Sequence, residues 1–198
     1  HIEEVVFDHV DVCYPDGEEA VLKVISFTAK AGETLAIIGS TGSGKSTLIQ
    51  LIPRFYDVTG GRVLINGVDV RQMNSHELRE HIGFVAQKAN LFSGTIEENI
   101  RFGREDATDE EVRHAAEIAQ AMDFIMDKPN GFQEKIVEGA GNLSGGQKQR
   151  LSITRALVRK PDIYIYDDSF SALDMKTDAV LRQALKSEVK NAVVIIVA

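Results

Sequence analysis

At 198 residues the chain fits one α/β domain, with room for an inserted subdomain and a substantial hydrophobic core. Its 43% hydrophobic and 26% charged residues exclude a disordered or fibrous chain, and a formal charge of -8 argues against a nucleic-acid partner unless the cations gather on one face. The single cysteine, Cys13, rules out an internal disulfide and a cysteine-based metal cluster, and the apolar runs fall far short of the roughly 20 residues of a membrane helix.

From Val5 to Phe27, short β-prone runs (Val5 to Phe7, Val10 to Tyr14, Val21 to Phe27) are interrupted by Pro15, Asp16 and Gly17, predicting an antiparallel strand-turn-strand beginning. Thr34 to Ile38 is an apolar run that leads into glycines, and Ser46 to Ile52 is helical in composition up to a stop at Pro53. That order reads as strand, loop, helix. Gly61 to Ile65 and Ile82 to Ala86 are further strand segments, with a short helix starting at Ser75 between them.

Between about Lys88 and Leu143 the apolar spacing becomes helical: Val112, Ala115, Ala116, Ala119 and Met122 fall on one face, and Thr108 with Glu111 forms a capping box at its start. A helix from Ser144 follows, then a buried-type strand Ile163 to Tyr166, a helix carrying Leu181 and Leu185, and a strand Val193 to Val197. Strand and helix alternate, which implies parallel strands. The expected architecture is a parallel α/β core over residues 1–87 and 144–198, fronted by an antiparallel β region and interrupted by a helical subdomain at 88–143. The start at His1 lacks a signal-peptide layout and the end falls inside an apolar run, so we expect a fragment of a longer chain.

Gly39, Ser40, Thr41, Gly42, Ser43, Gly44, Lys45 and Ser46, followed by Thr47, satisfy GxxxxGK[ST] between an apolar strand and a helix. Glycines let backbone N–H groups close on phosphate oxygens, and the helix N-terminus adds a favourable field for an anion. Lys45 is placed to reach the β and γ phosphates, and Ser46 to supply a hydroxyl to Mg²⁺. The bland alternative is a glycine-rich strand-helix turn. Asp167, closing the strand Ile163 to Tyr166, falls at the same sheet edge as the glycine loop and is the expected second holder of Mg²⁺; alone it reads equally as a turn starter. Ser144 and Gln147 fit an ordinary capping box, yet Gly145 and Gly146 cost helix stability by roughly 1 kcal/mol each, which suggests a close approach to that backbone, by an anion for example.

The order GSTGSGKST, Gln87, LSGGQKQR and IYIYDDSFSALD resembles the ATP-binding cassette family over nearly the whole chain. This resemblance implies a P-loop (RecA-like) ATPase fold binding ATP and Mg²⁺, with adenine stacked on Tyr14, which read without the family is a packed edge-strand tyrosine. Gln87, otherwise a polar strand end, resembles the glutamine that touches Mg²⁺ or the attacking water and leads to a transmembrane partner. Ser171 to Asp174 matches the loop that crosses to a second copy of the domain. Head-to-tail dimerisation then brings Ser144, Gly145, Gly146 and Gln147 of one copy to the γ-phosphate held by the other. Asn90 to Ile100 and Val137 to Leu143, with Glu138, resemble exporter-type members, which implies a fused or associated transmembrane domain and a place on the cytoplasmic face of a membrane.

One position departs from the family pattern. Asp168 stands where a catalytic Glu is usual, and its carboxylate is shorter in reach by about 1.5 Å. The position of the family's switch histidine falls beyond Ala198, so this sequence neither shows nor excludes it. These features lead to the expectation of a slow site in one half of a heterodimeric exporter, with an ordinary homodimer as the alternative. Two other function classes stand beside it: a DNA- or ribosome-associated clamp, against which the acidic charge argues, and a regulatory module that holds ATP with little turnover. The five histidines, His1, His9, His76, His81 and His114, show no metal-like spacing.

Overall fold

Strand β1 (Glu4–Val12) buries Val5 and Phe7 and then, after a change of phase, Val10 and Val12. A change of phase inside one strand requires a bulge. It sits at His9, whose φ of 50° is left-handed, and the pairing register shifts between Phe7 and Val10. The runs that the sequence separates at Asp8 and His9 are thus one bent strand. Gly61 faces the bulge across the sheet at φ 70°, and a Cβ there falls 2.1 Å from the His9 carbonyl oxygen, so only glycine fits.

The computed structural model describes residues 1–13, 22–38 and 44–197. Their contacts divide into two units, His1–Phe84 with Pro161–Asp167 and Lys190–Ala198, and Val85–Lys160 with Asp168–Val189. In the first unit β1 pairs antiparallel with β2 (Leu22–Lys30) and β4 (Gly60–Ile65), and β4 with β5 (Val68–Asp69). A second sheet has the order β3 (Thr34–Ile37), β10 (Val193–Val197), β9 (Ile163–Asp167), β6 (Ile82–Val85), and β10 runs parallel to both β3 and β9. Helices α1 (Lys45–Gln50) and α2 (Ser75–Glu80) accompany the sheets. One apolar cluster joins them: Val5, Phe7 and Ile65 of the antiparallel sheet, Ile49 and Leu48 of α1, and Ile163, Ile165, Val193 and Ile195 of the parallel one. The expected parallel α/β core behind an antiparallel region is the fold observed.

The second unit is largely helical. Its helices are α3 (Ile96–Arg101), α4 (Asp109–Ile118), α5 (Met122–Asp127), α6 (Gly145–Arg159) and α7 (Met175–Glu188), with a two-residue antiparallel pairing of β7 (Gly94–Thr95) and β8 (Lys135–Ile136) that the sequence pattern is too short to reveal. Helix α6 packs on α3 and α4, and α4 also meets α5 and α7. Val112, Ala115, Ala116 and Ala119 are buried, as the helical spacing requires. The Thr108–Glu111 capping box forms, and Thr95 with Glu98 builds another. No helix among the described residues is long and apolar enough to cross a membrane.

Glu111 has a second task besides capping. Its carboxylate accepts hydrogen bonds from the Thr108 N–H at 3.0 Å, from Arg104, and from Lys160 Nζ at 2.6 Å, so the start of α4 is tied to the end of α6. Lys160, the Thr108 amide and Arg104 together hold its carboxyl down to about 2 against an ordinary value of 4.5. A depressed carboxyl stabilises the fold above its ordinary value, and that contribution is lost as pH falls from about 4.5 toward about 2. We therefore expect Glu111→Gln to lower the urea midpoint at pH 7, with the gap to the unmutated protein narrowing steadily below pH 4.5. A gap that stays constant between pH 7 and pH 3 contradicts the ion-pair account.

Candidate nucleotide-binding site

Strand β9 is buried at all five positions and ends on Asp167, itself only 8% exposed. A carboxylate taken from water needs donors. Ser46 in the first turn of α1 supplies one: its Oγ donates to Asp167 Oδ1 at 3.1 Å. These two residues, 121 apart in the chain, were expected to share a magnesium ion, and the fold places them side by side. Gly44 caps α1 in the left-handed region (φ 83°) with no side-chain cap bond, Lys45 is half-buried at the first helical position, and Thr47 is buried. Tyr14 and Gly39 to Ser43, expected to hold the base and phosphates, lie outside the described residues.

A hydroxyl and a carboxylate are hard oxygen donors, and few of them suit Mg²⁺, which keeps most of its shell for water and phosphate. Among the described residues there is no group of three or more His, Cys, Asp or Glu able to hold a metal ion by themselves. The Ser46–Asp167 pair therefore fits a magnesium ion carried in with a phosphate ligand and does not fit a dedicated protein cage.

The second unit gathers the remaining expected residues. Ser144 Oγ accepts from the Gln147 N–H and Gln147 Oε1 accepts from the Ser144 N–H, both at 3.1 Å, completing the capping box at the start of α6. The two glycines behind it have an internal explanation. A Cβ on Gly146 falls 3.2 Å from the Ala172 carbonyl oxygen and one on Gly145 meets the Ala172 Cβ at 3.4 Å, so the segment after Asp168 lies against this turn. Ser144, Gly146, Arg150, Leu173, Asp174 and Thr177 line a surface recess of about 330 Å³.

Asp174 caps α7, accepting from the Thr177 N–H at 2.8 Å, and these hydrogen bonds hold its carboxyl below the ordinary carboxylate range. Arg150 donates to the Gly146 carbonyl at 3.2 Å and the Gln120 carbonyl at 2.9 Å while its guanidinium stacks on Phe124, and partial burial lowers its pKa. Asp168 is half-buried with a left-handed φ of 49°. The Ser171 hydroxyl donates to its carbonyl at 3.1 Å. Gln87 is exposed in a bend just after β6.

Several residues of the site escape sequence reasoning. Gln149 is buried on α6, bonded to Gln87, Ser171 and Ala172, and buried Ser169 donates to the Val85 carbonyl at 2.7 Å. Arg155 secures the stretch after Gln87: it donates to the Asn90 and Asn99 carbonyls at 2.8 and 2.9 Å and lies over the rings of Phe92 and Phe102.

The chain is similar to known proteins over most of its length. The family model for the ABC transporter matches residues 22–171. A protein of Staphylococcus aureus named as a multidrug export ATP-binding/permease protein is 48% identical over 191 residues, covering 96% of this chain and 33% of that protein. The uncharacterized ABC transporter ATP-binding protein YfiB of Bacillus subtilis is 49% identical over 181 residues, 91% of this chain and 32% of its own length. A bacterial Atm1-family ABC exporter with ATP bound, among the solved structures, has a TM-score of 0.95 at 38% identity, covering all of this chain and 35% of that one. The chain thus spans about a third of the length of the relatives it matches. It belongs to the ABC transporter family, as a nucleotide-binding domain.

Proposed function

We propose that this chain is the ATP-hydrolysing motor domain of an exporter, working on the cytoplasmic face of a membrane beside a fused or associated transmembrane domain and a second nucleotide-binding domain. The observation that carries the reading is the bond between Ser46 and Asp167, which puts a hydroxyl and a carboxylate together at the C-terminal edge of a parallel sheet. In this reading backbone amides of Gly39 to Lys45 and the Lys45 ammonium hold the phosphates, Tyr14 stacks on the base, and Ser46, Asp167 and Gln87 hold Mg²⁺. The ion shares the negative charge of the terminal phosphates when bound.

Ser144, Gly145, Gly146 and Gln147 then meet the γ-phosphate held by the second domain, and Ser171 to Asp174 form part of the surface between the two. The recess of about 330 Å³ is lined by both segments, which supports that use. Exporter membership is supported by the names of the relatives, and their threefold greater length leaves room for the transmembrane part. The acidic charge gives no support to a nucleic-acid clamp.

Asp168 orients the attacking water in this reading, at a shorter reach than Glu. The site is therefore slow while Ser144 to Gln147 serve the partner's site, as in one half of a heterodimer. A nucleotide-holding regulatory half with little hydrolysis is the limiting form of the same idea, and single-turnover hydrolysis set against ATP affinity separates the two.

Two outcomes test the proposal. Lys45→Ala removes a charge-assisted hydrogen bond to phosphate, for which we expect about 10- to 100-fold weaker Mg-ATP binding by titration calorimetry. Unchanged affinity sinks the phosphate-loop reading. Asp168→Glu in the full assembly is expected to raise turnover at this site by at least about tenfold. If ATP turnover does not rise, the short-carboxylate account of slow hydrolysis is wrong.

A further inference from the structure

Gln149 is 5% exposed, five residues into the helix that Ser144 caps. A buried primary amide is costly unless its two N–H groups and its oxygen are all engaged, and a leucine of similar volume packs without that demand. Here both N–H groups and the oxygen are engaged, and none of the three bonds is made to the helix itself. Nε2 donates to the Gln87 carbonyl at 3.2 Å and to the Ser171 hydroxyl at 3.3 Å, and Oε1 accepts from the Ala172 N–H at 3.0 Å. The amide orientation is fixed, because a flipped Gln sets oxygen against the Gln87 carbonyl.

The chain of bonds continues beyond Ser171. Its hydroxyl accepts from Gln149 and donates to the Asp168 carbonyl at 3.1 Å, a donor-to-acceptor sequence in which each bond polarises the next. One side chain therefore reaches the backbone of Gln87, the Ser171–Ala172 turn and, through Ser171, the backbone of Asp168. Ser169 pins the same two stretches independently, through the Val85 carbonyl. Gly146 lets Ala172 approach, and a displacement of α6 at its first turn has to carry or break all three Gln149 bonds together.

We propose that Gln149 is a positioning residue: it couples the turn Ser144–Gln147 to the placement of Gln87 and Asp168, so that a ligand seated on that turn sets the geometry of the hydrolytic residues. The inference rests on the motor reading above for the roles of Gln87 and Asp168. The clasp itself rests only on the geometry.

The test uses the full-length protein in its membrane assembly. Gln149→Met keeps the volume and removes all three bonds; the expected result is a kcat for ATP at this chain's own site, read with hydrolysis at the second domain's site disabled, at least tenfold lower, with Kd for Mg-ATP within threefold of the unmutated value. Hydrogen exchange then rises at 85–88 and 169–173 and stays unchanged in α4 and α5, a selectivity that a generally loosened fold does not produce. Gln149→Glu retains the acceptor for Ala172 and loses the donors to Gln87 and Ser171, and is expected to lose kcat likewise. A kcat within twofold of the unmutated protein in either variant, or a rise in exchange spread evenly over 85–189, overturns the proposal. Should neither variant fold, the unmutated protein decides: the Ala172 amide exchanges as slowly as amides of α6 if the clasp is closed, and exchange at open-loop rates overturns it. Failure of the unmutated protein to hydrolyse ATP defeats the motor reading alone, and the Ala172 amide still reports on the clasp.

Discussion

A carboxylate at the end of a strand buried along its whole length must find donors, and this requirement organises the first unit. Asp167 can sit at the edge of β9 because the Ser46 hydroxyl is delivered there by the first turn of α1, which Gly44 caps. Delivery depends on β10 lying between β3 and β9, parallel to both, so that the C-terminal ends of β3 and β9 face the same way. The apolar cluster of Ile49, Ile163, Ile165 and Ile195 holds α1 and these strands in that order. Packing fixes the strands, and the strands fix two oxygens 3.1 Å apart.

The second unit solves a different problem, which is how to bring loop segments with little regular pairing to defined positions. It uses side-chain amides and guanidinium groups from one long helix. Gln149 reaches Gln87, Ser171 and Ala172; Arg150 reaches Gly146 and Gln120; Arg155 reaches Asn90 and Asn99. Backbone carbonyls accept most of these bonds, so the loops are held without demanding particular side chains of them. Burial lowers the pKa of Arg150 and Arg155, the cost of placing guanidinium groups inside, and the aromatic faces of Phe124, Phe92 and Phe102 offset part of it.

Local signals in the sequence carried far and long-range ones did not. The capping boxes at Thr108 and Ser144 need only four consecutive residues, and both formed. The parallel core was legible because buried strands are continuous apolar runs, and Ser46 and Asp167 could be paired because each ends or follows such a run. The bulge at His9 looks like a gap between two strands in the sequence, since Asp8 and His9 are polar in a strand whose phase changes beneath them. Gly145 and Gly146 stand out in the sequence because two glycines are costly in a first helical turn, and the structure adds a neighbour that no local pattern encodes: a Cβ on Gly145 meets the Ala172 Cβ, and one on Gly146 the Ala172 carbonyl oxygen. Gln149 touches residues 62 and 22 to 23 positions away, and no periodicity encodes such contacts.

Asp168 joins these levels. Its φ of 49° is a left-handed conformation, which costs an ordinary residue about 1–2 kcal/mol and which Asp and Asn tolerate better than longer side chains. The backbone thus favours Asp over the Glu usual in the family, while the reach needed to orient a water favours Glu. Magnitudes decide between them: positioned acid-base catalysis is worth about 10²–10⁴-fold in rate, or roughly 3–5 kcal/mol, which exceeds the backbone preference. Selection for turnover alone would therefore install Glu in spite of the strain. In the proposed reading, an Asp at this position belongs to a site where holding nucleotide and presenting Ser144 to Gln147 to a second domain matter more than the rate of its own hydrolysis, and where the cheaper backbone can prevail.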